Sequence, residues 1–323
     1  MTSRVVLVAD PLPAAALERL GPGYEVRHCD GADRARLLAA VADADALLVR
    51  SATTVDAEVL AAAPRLAVVG RAGVGVDNID VAAATAAGVV VVNAPAANVV
   101  SAAELTCGLL LAAARDIQTA GTEVKSGVWR RSTHVGTELA GKTLGIVGLG
   151  RIGLAVARRM AAFDMTVLGH DPYATAQTAD QHGIKLVPLE ELLSRSDFLT
   201  VHVPRTPRTV GLIGEAELRL VKPTAYLANV ARGGIVDEAA LYTALHESRL
   251  AGAALDVFDD EPCTDSPLLR LDNVTVTPHL GASTREAQER AATDVVRALL
   301  QTLAGEPAPE ALNAPVSPRV KAA

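Results

Sequence analysis

Apolar residues fall along the chain in short β-branched runs separated by segments of helical spacing. VVLVAD (5–10), YEVRHCD (24–30), ALLVRS (46–51), LAVVGRAG (66–73) and VVVVNAP (89–95) read as strands. Between them, Ala14 to Leu20 and Arg34 to Val41 carry apolar positions at helical intervals. Continuous apolar strands alternating with helices predict a parallel sheet covered on both faces. The first block is therefore expected to be a five-stranded doubly wound domain.

A second series follows: TLGIVGLG (143–150), MTVLGHD (165–171), FLTVHVP (198–204), AYLANVA (225–231), GAALDVF (252–258) and VTVTP (274–278). These six runs predict a second α/β domain. Ser101 to Arg115 reads as a long apolar helix linking the two domains, with Ser101 and Glu104 in a capping-box pattern. Ser283 to Leu303 reads as one amphipathic helix, with Ser283 and Glu286 as a second capping box. The tail GEPAPEALNAPVSPRVKAA is expected to hug the surface or fray.

Composition narrows the class. With 323 residues the chain can bury a core in each of two domains. Half of it is hydrophobic but only 2% aromatic, so the apolar surface is mostly small side chains suited to packing helices on sheets. A net charge of -7 argues against a track for nucleic-acid phosphates. Cys29, Cys107 and Cys263 are odd in number and widely spaced, which suggests neither a disulfide frame nor a metal site and fits a reducing cytoplasm. The chain enters a strand at once without a signal-type run, and its longest apolar stretch is closed by Arg115 and Asp116. A cytoplasmic protein without membrane partners is expected.

The chemistry starts at GLGRIG, Gly148 to Gly153, which follows a strand and precedes a helix. That is the setting of a dinucleotide-binding turn: Gly148 makes the turn, Gly150 lets backbone approach a pyrophosphate, and Gly153 lets helix and strand close up. Asp171 ends the next strand, where a carboxylate takes the adenosine ribose hydroxyls and repels a 2′-phosphate. NAD is thus expected over NADP.

Three polar residues stand at the carboxyl ends of later apolar runs: Arg232, Glu261 and His279. Ligands of open α/β sheets bind at that edge, so the three should converge there. Singly, each has a bland reading, as a helix cap, a solvated acid and a surface ring. Together they suit hydride exchange between a carbinol carbon and nicotinamide. Histidine exchanges protons near neutrality, a carboxylate fixes its tautomer, and arginine clamps a 2-oxo acid in two places.

Over essentially its full length the chain resembles the D-isomer-specific 2-hydroxyacid dehydrogenases. The resemblance rests on RAGVGVDNID (71–80), VVNAPAANVVSAAEL (91–105), WRRSTHVGTELAGKTLGIVGLGRIG (129–153), ANVARGGIVDEAAL (228–241), GAALDVFDDEP (252–262) and TPHLGASTREAQ (277–288). It implies a Rossmann-type NAD domain over 98–287, inserted into a flavodoxin-like substrate domain of 1–97 plus 288–323. It also implies a homodimer formed through the NAD domain. The family's catalytic roles fall on Arg232, Glu261 and His279. Its cofactor positions add Arg151, Ile152, Val203, Val230, Ala231, Asp256, Gly281 and Ala282 to the glycines and Asp171.

The closest likeness is to the branch that oxidises 3-phosphoglycerate in serine biosynthesis. That likeness assigns the substrate phosphate to Arg50 and Arg71, with Arg131 reaching in from the second subunit, and places Val74, Gly75 and Asn98 against the rest of the substrate. Three positions depart from the branch: Asp164 stands where a glycine is common, and His134 and His170 where aromatics are common. The chain stops where many relatives continue into regulatory domains, so serine feedback through such a domain is not expected. A reductase of phosphonopyruvate, hydroxypyruvate or glyoxylate is the alternative enzyme. A corepressor that senses NADH, as the similar C-terminal-binding proteins do, is the alternative from another class.

Overall fold

The computed structural model describes residues 3–315 together with Pro318 and Arg319. The chain folds into two compact units, the first comprising 1–98 and 282–323 and the second 99–281.

Strands of the first unit are β1 (Arg4–Val8), β2 (Tyr24–His28), β3 (Ala46–Val49), β4 (Val68–Arg71) and β5 (Val90–Val92). They pair in parallel in the order β2-β1-β3-β4-β5, the flavodoxin-like arrangement. Helices α1 (Ala14–Leu17), α2 (Arg34–Val41), α3 (Ala57–Ala62) and α4 (Val81–Ala86) connect them. Alternation along β1 divides the core: Val6 and Val8 pack with one cluster, Leu7 and Ala9 with the other. Each fully buried Val or Leu contributes roughly 1.5–3 kcal/mol, which is why such runs are committed to a sheet covered on both faces.

The second unit holds α5 (Val99–Ala114), α6 (Ile117–Lys125), β6 (Thr143–Val147), α7 (Arg151–Ala161), β7 (Thr166–His170), α8 (Ala176–Gln181), β8 (Ile184–Leu186), α9 (Leu189–Arg195), β9 (Phe198–Val201), α10 (Glu215–Leu218), β10 (Tyr226–Asn229), α11 (Glu238–His246), β11 (Gly252–Leu255) and β12 (Val274–Val276). Its parallel sheet runs β12-β11-β10-β9-β6-β7-β8, with the reversal of order between β6 and β9 that marks a Rossmann-type ligand edge. Leu144 and Ile146 pack toward α5 and α7, whereas Val147, Leu199 and Val201 pack toward α9 and α11. The last helix, α12 (Arg285–Leu303), belongs to the first unit and buries Val295 and Leu299 there.

Several expectations are corrected. The second sheet has seven strands, not six; the extra one, β8, is a three-residue IKL whose Lys185 points out, too short to make an apolar run. Ser101 is no helix cap. α5 already starts at Val99, and the buried Ser101 hydroxyl donates to the Gly281 carbonyl at 2.9 Å. Instead of linking the units, α5 is built into the second one, where it packs on α7, β10 and β11. α12 is capped one residue later than expected, by Thr284, whose hydroxyl accepts from the Ala287 amide at 3.1 Å. Ala14 to Leu20 splits into α1 and a 3-10 turn, closed at Gly21 by a positive φ.

The tail does more than hug the surface. Ala311 bridges antiparallel to Val92, and the Leu312 amide donates to the Val91 carbonyl at 2.8 Å. Asn313 accepts from the Val91 amide at 2.8 Å and donates to the Val89 carbonyl at 2.9 Å. This covers the free side of β5, which would otherwise be an open edge. Within the tail, Val316, Ser317 and residues 320–323 lie outside the described residues.

Candidate active site

The glycine turn forms as its chemistry requires. Gly148 takes φ 95°, and a Cβ at Gly153 would lie 2.1 Å from the Gly148 carbonyl oxygen, so only glycine lets α7 close on β6. In front of Gly150 the space is open to at least 4 Å. Arg151 and Ile152 open α7, whose first amides face that space. At the end of β7, the Asp171 carboxylate accepts the Leu149 amide at 2.8 Å and the Tyr173 amide at 2.8 Å. The acid is therefore fixed beside the glycine turn. A cradle left open by glycine, bordered by a helix N-terminus and an oriented carboxylate, fits a dinucleotide. Val203 lies half-buried beyond β9, and its neighbour His202 is held neutral by burial, with its pKa lowered to about 4.

Arg232, Glu261 and His279 follow β10, β11 and β12, three strands adjacent in the sheet. Their carboxyl ends are thus neighbours. The Nδ1 of His279 lies 2.6 Å from Oε2 of Glu261, and the other carboxylate oxygen of Glu261 accepts the Phe258 amide at 3.0 Å. The carboxylate is tied to its own turn and orients the ring. His279 has φ 54°, a left-handed conformation that costs a side-chain-bearing residue roughly 1–2 kcal/mol. Its amide donates to the Asp256 carbonyl at 2.8 Å. With 46% of its side chain exposed, the imidazole remains accessible.

What holds this strained turn is Asp256, which is fully buried. Its carboxylate accepts the Thr277 hydroxyl at 2.6 Å, the Leu280 amide at 2.7 Å and the Gly281 amide at 2.8 Å. Burial pushes its pKa up, against those hydrogen bonds. Asn229 does the same service for Arg232: its amide group donates to the Arg232 carbonyl at 2.8 Å, and its Oδ1 accepts from the Ala231 amide at 3.0 Å. Val230 is buried and Ala231 half-buried in that turn. Gly281 is buried, and Ala282 follows it at the boundary of the units.

Other expected residues lie elsewhere, most of them in the first unit. Arg50 directly follows β3, and Arg71 ends β4. The Val74 carbonyl accepts from Asn93 at 2.6 Å, which pins the Val74 to Gly75 turn. Asn98 is the last residue of that unit's first segment. Arg131 sits exposed in a 3-10 turn after α6, in the second unit. His134, one of the three departures from the branch, is held between two carboxylates. Its Nδ1 bonds Asp116, and its Nε2 lies 2.9 Å from Glu123. Asn229, Asn93 and Thr277 were missed in the sequence; the one signal was a polar residue closing an apolar strand.

A parallel doubly wound sheet with a glycine cradle at its switch point and an acid at the next strand end defines a Rossmann-type dinucleotide-binding protein. Residues 107–281 match the sequence model of the NAD binding domain of the D-isomer specific 2-hydroxyacid dehydrogenases. The chain belongs to that family, and its second unit is the family's NAD-binding domain. It is 57% identical over 313 residues to D-3-phosphoglycerate dehydrogenase of Mycobacterium tuberculosis (strain ATCC 25618 / H37Rv), covering 97% of this chain and 59% of that protein. It is 46% identical to the rat D-3-phosphoglycerate dehydrogenase over 312 residues, 96% of this chain and 58% of that one. The chain thus spans about three fifths of the length of these curated relatives. Among solved structures, the TT0316 protein of Thermus thermophilus superposes with a TM-score of 0.88 at 38% identity, covering 96% of this chain and all of that one. A glyoxylate reductase from Paecilomyes thermophila gives 0.88 at 30% identity, covering 97% and 99%. Among the described residues no helix is long and apolar enough to cross a membrane.

Proposed function

We propose that the chain is an NAD-dependent dehydrogenase interconverting 3-phospho-D-glycerate and 3-phosphooxypyruvate. The observation that carries the chemistry is the hydrogen bond between His279 and Glu261 at the carboxyl edge of the NAD-binding sheet. Bound nicotinamide supplies the hydride acceptor for oxidation and the donor for reduction. His279 takes the hydroxyl proton in oxidation and returns it to the carbonyl oxygen in reduction, through Nε2, because Nδ1 is engaged by Glu261. Arg232 holds the substrate carboxylate with the planar fork that lysine lacks. Asp171 holds the adenosine ribose and disfavours a 2′-phosphate.

The substrate follows from the relatives' names and from charge. Arg50, Arg71 and Arg131 supply positive charge for a phosphate, while Val74, Gly75 and Asn98 contact the remainder of the molecule. We further propose a homodimer through the NAD-binding unit, with Arg131 serving the second subunit. The support is a set of exposed apolar side chains in the segment around Arg131: Ile117 and Val124 on α6, which buries no residue, and Trp129 and Val135, 80% and 87% exposed.

The test is a panel with NADH of 3-phosphooxypyruvate, phosphonopyruvate, hydroxypyruvate and glyoxylate, ranked by kcat/KM. Leadership by 3-phosphooxypyruvate is expected. A lead for glyoxylate or hydroxypyruvate would move the chain to the smaller 2-oxo acids.

A further inference from the structure

Arg50 is fastened by its backbone and not by its head. The Arg50 amide donates to the carboxylate of Asp10, a residue only 5% exposed just beyond β1. The Arg50 carbonyl accepts from Nδ2 of Asn78 at 2.7 Å, and the same nitrogen donates to the Thr53 carbonyl at 2.6 Å. Further along, the Val55 amide donates to the Asn78 carbonyl at 2.8 Å, and the Asp80 amide to the Val55 carbonyl at 2.8 Å. Both peptide groups flanking Arg50 are therefore fixed, by side chains arriving from β1 and from the turn ahead of α4. The guanidinium, in contrast, makes no hydrogen bond or ion pair among the described residues. Asp10 takes its bond from the main chain and so leaves the cationic head uncommitted.

Such an arrangement suits an anion site. Two-pronged contact between guanidinium and phosphate depends on angle as well as charge. A turn free to swivel after β3 would swing the head of a long side chain well beyond the roughly 0.5 Å within which a binding group must be held. Asn is required at 78 for a chemical reason: its amide carries two protons for two carbonyls, which neither Asp nor a hydroxyl can supply.

We infer that Asn78 and Asp10 are positioning residues for the phosphate of the substrate, acting through the backbone of Arg50. The inference rests on the proposed phosphate-bearing substrate and on Arg50 as one of its ligands. It makes the share of Arg50 in discriminating phosphorylated from plain 2-oxo acids a property of the Asp10, Arg50 and Asn78 assembly.

The test is the steady-state kinetics of full-length Asn78→Ala, Asp10→Asn, Asp10→Ala, Arg50→Ala and the Asn78→Ala/Arg50→Ala double variant, on 3-phosphooxypyruvate and on hydroxypyruvate. Asn78→Ala is expected to raise the KM for 3-phosphooxypyruvate about 10-fold, the loss of uniform binding, with kcat kept and hydroxypyruvate kinetics within about twofold. The double variant should be no worse than Arg50→Ala. Asp10→Asn, which retains an acceptor for the Arg50 amide, should stay near wild type where Asp10→Ala does not; this pair decides the matter should Asn78→Ala misfold. Effects that multiply in the double variant, or that fall equally on both substrates, would overturn the positioning role while leaving Arg50 as a ligand. An unchanged KM for 3-phosphooxypyruvate in Arg50→Ala alone would instead remove the phosphate reading, and this inference with it.

Discussion

Oε2 of Glu261 lies 2.6 Å from Nδ1 of His279, although the two residues leave the sheet on different strands. The pair exists because β11 and β12 are neighbours and because Asp256 holds the His279 turn in a left-handed conformation. Replacing Glu261 by Gln removes one of the two acceptors serving His279 and the Phe258 amide. We expect kcat to fall roughly 100-fold, the lower end of what a positioned acid/base contributes, with the Kd for NADH unchanged. Stopped-flow and fluorescence titration of the variant measure both quantities; an unaltered kcat would remove Glu261 from the proton path.

In the proposed function Asp171 chooses between cofactors. Its carboxylate is locked by the Leu149 and Tyr173 amides, so it cannot turn away from a 2′-phosphate. Asp171→Ala should weaken NADH binding and lift the relative affinity for NADPH by about 10-fold, since one like-charge contact of about 1.4 kcal/mol is a factor of ten. Parallel titrations with the two reduced cofactors check it, and wild-type protein preferring NADPH would refute it.

Much of the scaffold was legible because parallel strands buried on both faces read as unbroken apolar runs. The placement of GLGRIG and Asp171 at strand ends was legible with them, because those apolar runs mark where β6 and β7 stop. What escaped was short or tertiary. β8 is three residues long, and the pairing of Ala311 and Leu312 with β5 joins segments over two hundred positions apart. No periodicity marks Asn229, Asp256 or Asn93 as braces, because their partners, the Thr277 hydroxyl apart, are main-chain groups whose placement depends on the folded turn. The setting of His134 is equally invisible to periodicity. Its carboxylate partners, Asp116 and Glu123, lie 18 and 11 residues away.

That histidine gives a pH dependence with a definite sign. Hydrogen bonds donated by the ring to Glu123 and then to Asp116 raise the His134 pKa, and Arg130 shares Glu123. A pKa raised on folding contributes stability that is complete below the unfolded value of about 6.5 and is lost as pH rises through the higher folded value. Thermal unfolding of wild type and His134→Gln should therefore differ most near about pH 6 and converge in alkaline buffer, above the folded value. A gap that widens with pH would contradict the cluster.

Asp164 adopts φ 57° at the end of α7, where its amide closes the helix and its carbonyl accepts from the Gly141 amide. A glycine takes that conformation without the Cβ penalty, so Asp164→Gly should stabilise the fold by about 1 kcal/mol with activity unchanged. Denaturant unfolding measures the difference. A loss of stability would show that the Asp164 side chain contributes more than its backbone strain costs.

The most direct measurement compares wild type with His279→Ala for NADH oxidation by 3-phosphooxypyruvate, with NADH binding determined in both. Wild type is expected to turn over. The variant should lose about 100-fold to 10,000-fold in kcat, the usual share of a general acid, while binding NADH as before. Undiminished turnover without the imidazole, or no turnover of 3-phosphooxypyruvate by the wild type, would contradict the account.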